Sequence, residues 1–292
     1  MRELHRQALV DSKIAANRLP RRKVSKMTFN RMRVFGIGIA ILALSFATFA
    51  QAPAPATATQ APAASTSAAA LPSADRIIDK YEAAIGGEAA WHKLKSRVSK
   101  GTIEIPAMSL SGPVDIIEKA PDFSLATVNI GGAAFKRGFD GTNAWADDPQ
   151  NGLRTLSGAE AEDSKRQADF YHQVSMRKYY SKWNVSGTQK IGDHDAYAVE
   201  ATSTAGDLDK MYFDAQSGLL VRAITTVHSP QGDQVIQADL SDYRDADGIK
   251  LPFSVHQSSV QAEYTITFTE VHHNVDLTDA QFAKPTTAPD AK

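Results

Sequence analysis

The chain has 292 residues, no cysteine and a formal net charge of -1, which excludes disulfides, thiolate metal sites, cysteine nucleophiles and the acylated cysteine of a bacterial lipoprotein. The small net charge hides an asymmetry: residues 1–50 carry ten Lys/Arg against only Glu3 and Asp11, which leaves 22 basic against 31 acidic residues, a net -9, for residues 51–292. A domain this acidic has no electrostatic footprint for a phosphate backbone, so nucleic acid is not expected as a partner, and anionic membrane surfaces are disfavoured too.

In chain order, Arg31 and Arg33 precede an uncharged, largely apolar run from Val34 to Ala50 that ends in small residues. This is the pattern of a secretory signal, with cleavage expected after Ala50, where Thr48 lies two residues before the cut. The basic stretch ahead of the run is long for such a signal, which makes Met27 an alternative start. Arg21-Arg22-Lys23 has the look of a twin-arginine signal but lacks the apolar pair after the arginines and lies far from the apolar run. The competing reading is an uncleaved anchor, since 17 residues just reach the lower limit for spanning a bilayer. Both readings export the domain on its C-terminal side. Residues 51–72, mostly Ala, Pro, Thr and Ser, lack the apolar side chains to offset ordering entropy and read as a disordered linker.

Residues 73–287 read as one domain, and 288–292 as a disordered tail. Ser73 is an N-cap for a helix carrying Ile77, Ile78, Tyr81, Ala84 and Ile85 at helical spacing, stopped by Gly86-Gly87. A second short helix holds Ala89, Trp91 and Leu94. From Arg97 the period changes to two, through Ile103 and Ile105, Val114 and Ile116, Phe123 to Ile130 and Ala134 to Phe139, with a turn at Asp140-Gly141 before Trp145. Ser157 with Glu160 three residues later matches a capping box, which predicts a mostly polar helix closing on Phe170, Tyr171, Tyr179, Tyr180 and Trp183. These aromatics suit either a cover over something apolar or ordinary core filling.

Strands resume at Val185 to Lys190, Ala196 to Ala201, Lys210 to Asp214, Leu219 to His228, Val235 to Tyr243, Ile249 to Val255 and Ala262 to Val271, with a helical turn between Asp276 and Phe282. The last two alternate cleanly: Ile249, Leu251, Phe253 and Val255 share one face, as do Tyr264, Ile266 and Phe268, while Glu263, Thr265, Thr267 and Thr269 face water. The expected fold is mainly β (α+β): an antiparallel sheet of about eleven strands with a few short helices. Helices this few cover only part of its apolar face, which is either collapsed on itself or open to a ligand.

No reactive constellation stands out. The chain has no Gly-x-Ser-x-Gly elbow, no His-Glu-x-x-His, no phosphate-cradling loop and no dinucleotide fingerprint, so no catalytic residue, metal or cofactor is expected. His272 and His273 are adjacent in an extended segment and point to opposite faces, which is poor geometry for sharing one ion. Asp242, Asp245, Asp247 and Gly248 lack the spacing of a calcium loop; Asp-Gly before a strand is what a tight turn requires.

The assembled pattern resembles the exported LolA/LolB lipoprotein-carrier superfamily, in particular the outer-membrane lipoprotein-sorting group. The resemblance rests on Ile77-Ile78-Asp79-Lys80-Tyr81 with Gly86-Gly87, on Gly138-Phe139-Asp140-Gly141-Thr142-Asn143-Ala144-Trp145, on Tyr212-Phe213-Asp214 with Gly218 to Arg222, and on Asp242-Tyr243-Arg244, Asp247-Gly248 and Leu251-Pro252-Phe253. It implies a strongly curved half-barrel whose apolar concave face, covered by short helices, holds acyl chains. It also implies a periplasmic, non-enzymatic and monomeric binding protein with a lipid or an acylated lipoprotein as its partner. The expected cavity residues are Ile103, Ile105, Val114, Ile116, Leu125, Phe135, Phe139, Trp145, Tyr264, Ile266 and Phe268, with Phe170, Tyr171 and Tyr179 as the cover. Parity groups the residues of each strand without saying which face is concave. The alternative is a membrane-tethered module that senses or scaffolds envelope membrane proteins with the same sheet. Relatives of this fold do both jobs, and two departures from the carrier pattern stand out: no lipidated cysteine, and an Ala/Pro linker.

Overall fold

The computed structural model describes residues 70–229 and 232–286. The readings on residues 1–69, which hold the export segment and most of the linker, and on the tail at 288–292 lie outside the described residues. Among the described residues no helix is long and apolar enough to cross a membrane.

Six strands, β1 (Ser96–Ile105), β2 (Leu110–Lys119), β3 (Phe123–Ile130), β4 (Ala133–Asp140), β5 (Ala144–Asp148) and β6 (Gly152–Thr155), form one antiparallel meander. Seven more, β7 (Tyr180–Ile191), β8 (His194–Ser203), β9 (Leu208–Asp214), β10 (Leu220–Val227), β11 (Gln234–Ala246), β12 (Ile249–Ser258) and β13 (Glu263–His273), form a second. The two join where β1 pairs with β13, Ile103 opposite Ile266, so the sheet runs β6-β5-β4-β3-β2-β1-β13-β12-β11-β10-β9-β8-β7. The chain therefore starts in the middle, runs out to one edge, crosses the whole sheet and returns strand by strand. The sheet is open, with β6 and β7 as its edges. Bulges at Lys100/Gly101, Val185/Gly187 and Leu220/Arg222 bend individual strands and raise their twist, which curves the sheet into a half-barrel.

The count is thirteen strands instead of the expected eleven. The difference is the β5–β6 hairpin, whose strands of five and four residues carry Asp147, Asp148 and Arg154 and give almost no alternation to read.

Helix α1 (Ala74–Ala84) begins at Ser73, whose side chain accepts from Arg76 N at 3.4 Å, and buries Ile77, Ile78 and Tyr81 against the sheet. Its end is fixed by glycine for a steric reason. Gly86 has φ of 110°, and a Cβ there would lie 2.5 Å from the carbonyl oxygen of Gly248 in the β11–β12 turn. Lys250 N and Trp91 Nε1 both donate to Ile85 O at 3.1 Å, tying α1, the four-residue helix α2 (Glu88–Trp91) and β12 together at one corner.

The edge-to-edge crossing holds α3 (Gly158–Ala168) and two 3-10 turns, His172–Val174 and Met176–Lys178. The helix forms where expected, but its capping box does not. The Ser157 side chain makes no capping bond, because Glu160 is drawn instead into a bidentate pair with Arg154 at 2.7 and 2.8 Å and lies 3.6 Å from Arg137. A buried carboxylate gains more from a guanidinium than from one backbone N–H.

Register assigns every strand residue to a face. The inner face, which carries α1, α2, α3 and the 3-10 turns, includes Ile103 and Ile105 of β1, Val114 and Ile116 of β2, Phe135 and Phe139 of β4, and Tyr264, Ile266 and Phe268 of β13. Leu125 and Trp145 belong to the outer face, contrary to expectation. Leu125 pairs with Gly138, and Gly138 pairs with Trp145. A Cβ at Gly138 would lie 2.4 Å from the Trp145 ring. The Trp145 indole donates to Phe282 O at 2.9 Å, and Phe282 packs on Phe123 with centroids 5.4 Å apart. Trp145 is thus buried by the chain's own C-terminal turn, away from the helices, and its apolar character did not reveal which cover it had.

Candidate functional site

The inner face divides into a filled half and a hollow half. Ile103, Ile105, Val114, Val128, Ile130, Phe135, Tyr264 and Ile266 form one contiguous cluster whose members are at most 6% exposed, and Ile116 packs against it. Phe139 packs separately with Ala144, Ala146, Leu156 and Ala168 beneath α3. Phe268 bridges the first cluster and the core under α1 and α2. Among the described residues these expected cavity residues pack against one another.

The hollow half lies over β9–β12. Here a cavity of about 270 Å³ opens between the sheet and its helical cover. Met211, Leu220, Ala223, Leu240 and Leu251 form its floor; Ile85 and Trp91 form one wall. Met176, Tyr179 and Tyr180, from the end of the crossing, close it above. Of the three aromatics expected as the cover, Tyr179 lines the cavity. Phe170 is instead fully buried in the neighbouring core, and Tyr171 packs against that core while its hydroxyl donates to Leu94 O at 3.0 Å. The floor comes from the Lys210–Phe253 meander. It could have been found from connectivity: the crossing delivers its aromatics to edge strand β7, so the roof hangs over β7's neighbours instead of over β1–β4.

The aspartates of that meander serve its turns and edges. Asp214 accepts from Ser217 N at 2.5 Å and Ser217 Oγ at 2.6 Å, Asp247 has φ of 53° ahead of Gly248, and Asp245 pairs with Lys250 at 2.7 Å. Among the described residues no group of His, Asp and Glu has metal-binding geometry.

Besides the tyrosine hydroxyls, polar side chains reach the cavity wall from Arg166 and Gln167 of α3, His172 and Gln173 of the first 3-10 turn, Asp209 of β9, Thr225 of β10 and Lys250 of β12. Asp209 is 1% exposed, accepts from Tyr180 Oη at 2.7 Å and from Thr226 N at 3.3 Å, and burial raises its pKa above the ordinary carboxylate value. Burial lowers the pKa of His172 and keeps the ring neutral.

The cover is clasped at one end by His228, just beyond β10. Its N–H lies 3.0 Å and its Nδ1 2.9 Å from Asp163 Oδ2 of α3, while Nε2 is 3.5 Å from Asp207 and 3.9 Å from Asp233. The hydrogen bond to Asp163 is the main cause that raises the His228 pKa above 6.5. A raised folded-state pKa means the clasp contributes fully below the unfolded value and fades as pH rises through the folded one. His172 and His273, both lowered by burial, act with the opposite sign. The expected result is therefore a difference: the denaturation midpoint of the natural protein minus that of His228→Gln shrinks from about pH 6 to about pH 8. A pH-independent difference would show that the imidazole charge plays no part in the clasp.

No protein-family model and no curated protein matches the chain. Solved structures do. A DUF1329 family protein from Desulfovibrio piger is similar with a TM-score of 0.51 at 16% identity, over 72% of this chain and 96% of that one. A LolA superfamily protein from Nitrosomonas europaea is similar with a TM-score of 0.48 at 14% identity, over 73% and 99%. Identity this low speaks to architecture alone. On that level the open, curved antiparallel sheet with its inner helices shares the architecture of the DUF1329 family structure.

Proposed function

We propose that this chain is an exported, non-enzymatic binding protein that takes one acyl chain of a lipid-like amphiphile into the cavity over β9–β12. The observation that carries the reading is the cavity itself, floored by aliphatic side chains and roofed by aromatic ones. A preformed hollow whose apolar lining is interrupted by placed polar groups is the usual form of a small-ligand site. Its size narrows the ligand. A methylene takes about the space of one water, roughly 30 Å³, so 270 Å³ holds a single chain of about nine carbons. A hollow of that size favours a single-chain amphiphile over the several chains of a lipoprotein.

Burial of about nine methylenes at about 0.8 kcal/mol each gives at most about 7 kcal/mol before the costs of association. Micromolar affinity is then the ceiling for the chain alone. The test uses protein purified from cells expressing the full chain, stripped of bound lipid, with decanol binding followed by titration calorimetry. The expected result is one decanol per protein. Absence of decanol binding, together with no bound amphiphile in native mass spectra of the unstripped protein, would refute the reading.

A further inference from the structure

The charges around the cavity do not cancel evenly, and the imbalance selects a head group. Arg166 is held by Asp163 at 3.1 Å and Lys250 by Asp245 at 2.7 Å, so both cations on the wall have ion-pair partners. His172 is neutral. Asp209 is different: its two hydrogen-bond donors, the Tyr180 hydroxyl and the Thr226 N–H, are both uncharged, and no cation lies within ion-pair distance among the described residues. Arg166 reaches it only through the field, which Asp207 opposes. Its two bonds use about half of the lone-pair sites of a carboxylate. Gln173, another lining residue, has a buried side-chain oxygen with no partner among the described residues.

We infer that the cavity accepts single-chain amphiphiles whose head group donates hydrogen bonds and bears no negative charge, such as alcohols, amides or amines, and rejects the matching carboxylates. The inference rests on the reading of the cavity as an acyl-chain site. A carboxylate head would bring a second anion beside a carboxylate that has no paired cation, inside a region of low dielectric where like charges repel strongly. A hydroxyl or ammonium head instead has Asp209 as an acceptor at the wall.

The test is titration calorimetry, at neutral pH, with decanol, decylamine and decanoate, which share one chain length. Decanol and decylamine are expected to bind at least tenfold more tightly than decanoate. Asp209→Asn keeps the shape but removes the charge, and is expected to bring decanoate to within about threefold of decanol by weakening decanol and relieving decanoate; loss of a structural support alone would weaken all three together. Decanoate binding as tightly as decanol to the natural protein overturns this inference while the acyl-chain site stands. Discrimination unchanged in Asp209→Asn overturns the role assigned to that carboxylate. Failure of all three to bind overturns the cavity reading and the inference with it.

Discussion

Replacing Arg97 with methionine is expected to lower stability by about 3 kcal/mol, near the lower end of the cost of breaking a buried ion pair from one side. Arg97 lies on the inner face of β1, and its Nε and Nη2 donate to Glu118 of β2 at 2.7 and 2.9 Å. The two side chains are 9% and 15% exposed. The guanidinium also stacks over Trp91 at 5.8 Å and Phe170 at 5.6 Å, so one residue joins the sheet to both ends of its cover. Removing it strands a carboxylate beneath two buried rings. For a domain of this size the melting temperature should fall by roughly 6 to 12 °C. The double variant Arg97→Met with Glu118→Leu should recover most of that loss, because a well-packed apolar pair often matches a buried ion pair. Urea denaturation of both variants decides the matter: a single variant within about 1 kcal/mol of the natural protein would mean that the pair is solvated and does not anchor the cover.

The same residue shows why the fold was more legible in the sequence than the site. Strand alternation is local, and it placed Ile249, Leu251 and Phe253 together, as the register does. Turn chemistry is local too: Asp140 accepts from Thr142 N at 3.0 Å and Asn143 N at 2.7 Å. The depression in the sheet is not local. It depends on which strands the crossing overhangs and on the C-terminal turn claiming the outer face at Trp145. Alternation could not rank Ile103, buried among its strand neighbours, against Leu251, beside the cavity, because both are apolar residues on the same face. Nor did composition distinguish Arg97, buried against aromatic rings, from the solvated arginines of strand edges. Glu160 carries the same lesson from the other side, since the motif that announced a helix cap is used for an ion pair with an arginine six residues earlier.

Ala223→Phe is expected to weaken binding of a ten-carbon amphiphile at least a hundredfold. Ala223 sits on the cavity floor, opposite Met211 of β9 and Ala238 of β11, where its methyl leaves the hollow open. The larger side chain adds six carbons to a space that holds about nine. Excluding five methylenes at about 0.8 kcal/mol each forfeits about 4 kcal/mol, and a hundredfold loss allows for partial relaxation of the floor. Filling an apolar void is usually neutral or stabilising, so an unchanged or raised melting temperature should accompany the lost affinity. Ala223→Leu provides the graded case. In the natural protein, affinity should rise with chain length to about nine carbons and then level off, and in Ala223→Leu the plateau should arrive several carbons earlier. Val235, 61% exposed on the neighbouring strand and outside the cavity, supplies the control, since Val235→Ala should leave the plateau in place. An unshifted plateau in a well-folded Ala223→Leu would mean that amphiphiles bind elsewhere on the domain, because no other explanation leaves a narrowed cavity with its original capacity.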